Sequence, residues 1–244
     1  AAAIGIATAA YGVAHAYLVR PLPYPEPDRL VQIIAGPSRQ PQPNAPSLAG
    51  VDWTTLDSVF DATVAWDLDG FTLPDDSHPE YVDGAWVSPG YFAALGLRPT
   101  TGRGFTADDF ESSAPVAIIS DALWSRRFNR DPSIVGRTIR AHSTDRPRDM
   151  ELVTVVGVMP ADAWHISRFT DVLRPLGGPR MPSLARLRPG MSSTEAQRRM
   201  NAVVLPQVVA SADSTCSVPF QARSVMSART SPVMTEVPRR MSIA

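Results

Sequence analysis

The sequence predicts a mixed α+β fold, with a strand-and-helix unit near each end and a β-rich stretch between them. Three observations carry that expectation. Short runs with apolar and polar residues in alternation recur between residues 60 and 160, the period of half-buried strands. Segments with apolar residues at helical spacing follow Ser caps. No repeat of 20 to 50 residues is present, which excludes a solenoid or propeller.

Taken in order, Ala1 to Val19 carry no charged side chain and stop at Arg20-Pro21. At 1.5 Å per residue such a run reaches roughly the thickness of the hydrocarbon core, so it is expected to be a membrane helix or part of one. Gly5, Ala9 and Gly12 suit close helix packing, and Tyr11 and Tyr17 suit an interface. A signal-peptide remnant ending near Ala14-His15-Ala16 and a buried Ala-rich helix are the alternatives. After the Pro-rich PLPYPEPD stretch, Arg29 to Ile34 reads as a strand and GPSRQPQPNAP as a loop. Ser47 then caps an expected helix carrying Leu48, Val51, Trp53, Leu56, Val59 and Phe60.

The period changes next. Ala62 to Trp66, Gly70 to Leu73 and Glu80 to Val87 read as strands, with PDDSHPE as turn chemistry before the last. Ser88-Pro89 is expected to open a helix with Tyr91, Phe92 and Leu95, closed by Gly96. Val116 to Ile119 reads as a strand running into a helix capped by Ser120 with Leu123, Trp124 and Phe128, and DPSIVG adds a helical turn. Arg137 to Ala141 and Leu152 to Val158 are strands divided by STDRPRD. Ser183 to Leu187 is a strand, and Ser192 with Glu195 forms a capping-box pattern before a helix through Ala196, Met200 and Val203. Val218 to Ala222 adds a strand, and the tail beyond Arg223 has no period.

Composition limits the chemistry. All 23 basic residues are arginine, so no GxxxxGK[ST] phosphate loop exists and the chain is no P-loop ATPase. A net charge of -1 without a basic stripe leaves no electrostatic footprint for nucleic acid. Cys216, the single cysteine, forms no internal disulfide and has no evident activating neighbour. Asp75, Asp76, His78 and Glu80 are the densest set of metal-ligand types, yet they lie in a Pro-bounded turn without HExxH or EF-hand spacing, so a solvated hairpin turn is expected. Asp108, Asp109 and Glu111 in GRGFTADDFE could pair as acid and base, but nothing around them indicates the unlike environments such a pair needs, and a capped, solvent-exposed loop or helix start is expected. Ser120-Asp121 lacks the nucleophile elbow, and His142 and His165 are isolated. Trp53, Trp66, Trp86, Trp124 and Trp164 are expected as core or interface anchors. No catalytic, metal or cofactor residue is assigned.

Several blocks taken together resemble the MacB-like periplasmic core domain of ABC transporter permeases, and in particular the duplicated orphan-permease group. They are YLVRPLPYPEPDRLVQI, HPEYVDGAWVSPGYFAALGLRPTTGRGFTADD, PVAIISDALWSRRFNRDPSIVGRTIR with VTVVGVMP, and SLARLRPGMSSTEAQRRM. The resemblance spans most of Tyr11 to Val204. It implies a porter-like mixed α/β subdomain of two split units with an inserted small β-rich subdomain, preceded by a membrane helix. The implied boundaries are 1–19 for a partial membrane helix, 20–95 and 181–222 for the two porter halves, 96–180 for the insertion, and 223–244 for the tail. Leu173 stands where the family usually has tryptophan, and the GGPRMPSLARL connection is short.

The functional expectation is a non-catalytic extracytoplasmic domain, in the bacterial inner membrane, that couples cytoplasmic ATP hydrolysis to export or mechanical signalling. The implied partners are an ATP-binding subunit or domain, a second permease copy or paralogue, and in some members a periplasmic adaptor. As it stands the chain would supply only part of a transporter. Two alternatives are a secreted α/β hydrolase using Asp108 and Asp109 or the His78 cluster, and a binding or assembly domain of a degenerate permease fragment.

Overall fold

The computed structural model describes residues 24–35, 52–74, 79–144, 151–161, 163, 170–178, 182–211 and 220–224. The expected membrane helix at 1–19, the Ser47 cap, Asp75, Asp76, His78, Trp164, His165, Cys216 and the tail after 224 lie outside these residues. In chain order the strands and helices are β1 (Leu30–Ala35), β2 (Phe60–Val64), β3 (Trp66–Leu73), β4 (Glu80–Val87), α1 (Tyr91–Leu95), β5 (Thr101–Gly102), α2 (Ala107–Glu111), β6 (Val116–Ile119) and α3 (Asp121–Phe128). They continue as β7 (Thr138–Ser143), β8 (Glu151–Val158), β9 (Thr170–Pro175), β10 (Leu184–Leu187), α4 (Ser193–Ser211) and β11 (Phe220–Ser224). Short 3-10 turns occupy Pro27–Arg29, Trp53–Leu56 and Pro132–Ile134.

Two sheets divide the strands. The first is antiparallel, in the order β11-β1-β10-β2. The second has the order β5-β8-β6-β9-β4-β3-β7, and β7 also pairs with β8, so six strands close into a ring with β5 alongside β8. Closure removes the free edges that an open sheet exposes. Two pairings in the ring, β4 with β9 and β6 with β8, are parallel. β3 and β4 belong to the ring although they fall before residue 96 in the chain, so hydrogen bonding crosses that expected boundary.

Alternation explains the packing. Along β4, Val82 and Trp86 face the ring interior with Phe71, Ala117, Ile119, Val153, Val155 and Val172. Ala85 and Val87 face the other way, onto a second cluster with Leu30, Val64, Tyr91, Ala94, Leu95, Ile118 and Leu173. That second cluster is the seam between the two sheets, and Leu173 fills its place there fully buried. The far face of the first sheet is covered by α4 through Ala196, Met200 and Val204, together with Leu56, Val59 and Phe60. The chain therefore stacks as helix α4, antiparallel sheet, α1 seam and ring.

Several local expectations are corrected. The helix expected through Phe60 is only a 3-10 turn at Trp53–Leu56 within the described residues, and Phe60 already opens β2. Leu56, Val59 and Phe60 are buried as the pattern required, but the β-branched Thr and Val around an Asp57-Ser58 turn favour extended backbone. The helix expected at Ser88-Pro89 begins at Tyr91, because the Ser88 hydroxyl accepts the Ala65 N–H (2.9 Å) and ties β4 back to the end of β2. Gly96 does close α1, in the left-handed region at φ 65°. Ser120 caps α3 by accepting from Leu123 N (3.0 Å) and donates to Asp171 (2.6 Å). Ser192 accepts from Glu195 N (3.2 Å). β9 and the two-residue β5 had no sequence expectation.

Candidate functional site

Tyr24 to Arg29, the segment that links the apolar N-terminal run to β1, is held more tightly than its loop composition suggests. Glu26 sits between Pro25 and Pro27 in the left-handed region (φ 44°, ψ 62°), a conformation that costs a non-glycine residue about 1 kcal/mol and persists only where its surroundings require it. Contacts made by Arg29 and Arg186 supply that requirement. Arg29 N–H donates to Glu26 O (3.0 Å) and the Arg29 guanidinium donates to the Glu26 carboxylate (2.6 Å). Arg29 also pairs with Asp61 on β2 and donates through Nε to Leu187 O on β10 (2.8 Å). Arg186 on β10 donates to Glu26 O (3.4 Å) and, through Nε, to Ala94 O at the end of α1 (2.7 Å).

Arg186 is 7% exposed, and its second terminal nitrogen has no partner among the described residues. Burial, with repulsion from Arg29, lowers its pKa below the ordinary arginine value, opposed by attraction to Glu26 and Asp61. A buried guanidinium at this position joins the linker, β10 and the Ala94 carbonyl near the end of α1 in one node. Gly96 completes it. A Cβ there would come within 2.7 Å of the Pro25 ring, so the glycine admits both the left-handed cap and the close approach of the linker.

The GRGFTADDFE segment forms the expected capped helix start, but one of its carboxylates is buried. Thr106 caps α2, with Asp109 N–H donating to its hydroxyl (3.3 Å) and Thr106 N–H donating to the Asp109 carboxylate (2.7 Å). Arg103 donates to both Asp109 oxygens (2.5 and 3.2 Å). Asp109 is thus 4% exposed rather than solvated, while Asp108 points to solvent. The hydrogen bonds from Arg103, partly opposed by burial and reinforced by Thr106, hold the Asp109 carboxyl below its usual 3.8. The Asp109 carboxylate is thereby engaged by Arg103 and by the Thr106 N–H at the start of α2.

Glu80, the one described member of the His78 cluster, is likewise engaged. It accepts from Arg126 (2.7 Å) and Arg127 (3.0 Å) on α3, and Arg126 also pairs with Asp171 on β9 (2.5 Å). Burial raises the Glu80 pKa, but the two arginines outweigh it and the net shift is downward from 4.5. Because Asp109 and Glu80 both have depressed pKa values in the fold, their contribution to stability is complete above about pH 5 and is lost as pH falls through the folded values. Urea titrations from pH 7 to pH 2.5 are expected to show the parent losing stability below about pH 4. Asp109→Ala should start about 1 to 2 kcal/mol lower at neutral pH and converge with the parent in acid. A gap that stays constant with pH would remove the ion pair from the account.

Sequence reasoning missed the buried polar residues. Asp69 accepts from Trp86 Nε1 (2.7 Å) and Ser143 (2.6 Å). Arg174 lies over the Trp86 ring (4.7 Å to its centre) and pairs with both oxygens of Glu151 (2.9 and 3.2 Å). The four described tryptophans are each partly buried against a core cluster or a polar partner, Trp124 donating to Asp131 O (2.8 Å). Among the described residues no group of His, Cys, Asp and Glu could hold a metal, and no helix is long and apolar enough to cross a membrane.

The family model described as the MacB-like periplasmic core domain matches residues 1–212. The chain belongs to that family. Among solved structures, the periplasmic region of MacB from Actinobacillus actinomycetemcomitans superposes with a TM-score of 0.58 at 17% identity, covering 80% of this chain and 88% of that one. A permease-protein domain from Porphyromonas gingivalis gives 0.53 at 15% identity, covering 82% and 92%. At these identities the likeness is one of fold, and the MacB-like architecture agrees with the α+β arrangement above. No curated protein matches the chain in sequence. The protein is therefore a periplasmic domain of a MacB-like ABC transporter permease, placed on the extracytoplasmic side by its family.

Proposed function

We propose that the domain is a non-catalytic lever of a permease in the bacterial inner membrane, moved by ATP hydrolysis in a cytoplasmic ATP-binding subunit or domain and delivering that motion to export or to a mechanical signal. Its boundaries would follow the porter halves and insertion of its family, with an adaptor as a further partner. The observation that carries the reading is the clamp on Tyr24–Arg29. A linker fixed by Arg29, Arg186 and Gly96 to β2, β10 and α1 transmits displacement, whereas a free loop of the same length would absorb it. The packed seam beyond α1 then carries the displacement to the ring.

The test uses the whole permease with its ATP-binding partner in nanodiscs, spin-labelled at the exposed Asp108 after change to cysteine in a Cys216→Ser background. ATP is expected to change the distance between labels on two copies. Arg186→Met keeps volume and removes the donors, and should reduce that response about tenfold while ATP hydrolysis continues. Unchanged label distances with active hydrolysis in the parent would sink the lever.

A further inference from the structure

The ladders that close the ring are unequal. β3 and β4 are joined along the whole of both strands, and β4 with β9, β6 with β8 and β7 with β8 along most of the shorter one. Among the described residues β3 meets β7 only where Phe71 stands opposite Ser143 and Thr72 opposite His142, followed by a bond from Thr144 N–H to Gly70 O (2.8 Å). β7 changes partner to reach it, since Thr138 to Ala141 pair with β8 instead. The ladder of β6 with β9 is as short, but Ile118, Ile119, Val172 and Leu173 are all buried there, between the ring interior and the seam to the first sheet, and Ser120 N–H extends it to Asp171 O (2.8 Å). Where β3 meets β7 only Phe71 is buried, while Thr72, His142 and Ser143 are half-buried.

A circuit of polar contacts crosses that junction. Ser143 at the end of β7 donates to Asp69 on β3, and Asp69 accepts from Trp86 near the end of β4. Arg174, near the end of β9, lies over the Trp86 ring and pairs with Glu151 at the start of β8. Glu151 stands opposite Ala141, so the circuit returns to the strand on which it began, leaving only β6 outside it. We propose that the ring opens between β3 and β7 and that this polar circuit is the latch holding it shut. Parting the two strands breaks the short ladder alone. The β3–β4 and β7–β8 pairings survive, and the closed ring becomes an open sheet in the order β7-β8-β6-β9-β4-β3 with two unpaired edges. Side-chain bonds in a buried network reinforce one another, so a link lost at Arg174 loosens the bond that Ser143 makes across the junction. The latch lies in the ring and holds whether or not the domain carries force.

Amide hydrogen exchange, read residue by residue in the full chain, tests it. Because Thr144 N–H donates to Gly70 O and alternate residues of a strand share an edge, the N–H groups of Thr72, His142 and Thr144 all lie in the junction. They are expected to exchange together, at least about tenfold faster than those of Val82, Gly84 and Ala85 on β4. Ser143→Ala should speed the three about fivefold, and Arg174→Met, which keeps volume and acts from the far side of the circuit, about threefold. Both should leave the β4 amides within about twofold of the parent, and Ser143→Thr, which keeps the hydroxyl, should do so for all of them. If Arg174→Met does not fold, Glu151→Gln weakens the same link from its half-exposed end. Junction amides as slow as those of β4, or indifferent to the substitutions, overturn the proposal. So does an equal acceleration throughout the ring, which would make the contacts part of global stability, or a response to Ser143→Ala alone, which would leave a single bond and no circuit. None of these readouts involves ATP, so the outcome is separable from that of the lever experiment.

Discussion

Tyr91→Ala is expected to lower the stability of the domain by about 3 to 5 kcal/mol, the range for removing a fully buried aromatic side chain. Tyr91 opens α1 and has no exposed surface, lying in the cluster where Leu30 and Val64 of one sheet meet Ala85, Val87 and Ile118 of the other. Its ring meets Phe92 edge-on at 5.4 Å, and Phe105 continues the aromatic chain from Phe92 to Phe110. The cavity left by alanine would lie between two sheets, each held by its own hydrogen bonds, so it closes poorly. Thermal melts should show a fall of roughly 6 to 20 °C. A fall under about 2 °C would mean that the seam is looser than its burial indicates.

Gly84→Ala is expected to overpack the ring. A Cβ at Gly84 would lie against the Phe71 ring and 2.7 Å from Val172 O on the neighbouring β9. The phenyl ring can shift but the backbone carbonyl cannot without disturbing the β4 and β9 pairing, so overpacking of about 1 to 3 kcal/mol is expected. Phe71→Leu should relieve part of that loss. A double-mutant cycle by urea denaturation is expected to give a coupling of about 0.5 to 1.5 kcal/mol between the two sites. Strict additivity would mean that the carbonyl, and not the ring, sets the limit.

Much of the fold was legible because local rules and tertiary packing agreed. Glu80 to Val87 reads as a strand and forms one with those bounds, and Ser120 caps its helix as its position before an apolar face implied. The misses lie where a distant partner decides. β9 reads TDVLRP, and the buried Arg174 breaks the alternation unless Trp86 and Glu151 are known to receive it. Arg186 interrupts an apolar strand for carbonyl partners 92 and 160 residues away. Ser88 was expected as a cap because nothing near it in sequence announces the Ala65 N–H. The clamp itself left one trace, the repeated prolines around Glu26 and a glycine after α1, which mark backbone that must take unusual angles.

The passage between the two sheets has a consequence for how such proteins diverge. The chain leaves the antiparallel sheet at Val64 and returns to it at Ser183, and Ser183 N–H donates to Val64 O at 2.7 Å, so the two ends of that long excursion touch. Residues can be gained or lost inside it without shifting the register of β2 on β10, provided α1 remains to cover the seam. The stretch behaves as a cassette whose attachment points do not record its length, and it is there that relatives of different size are expected to differ.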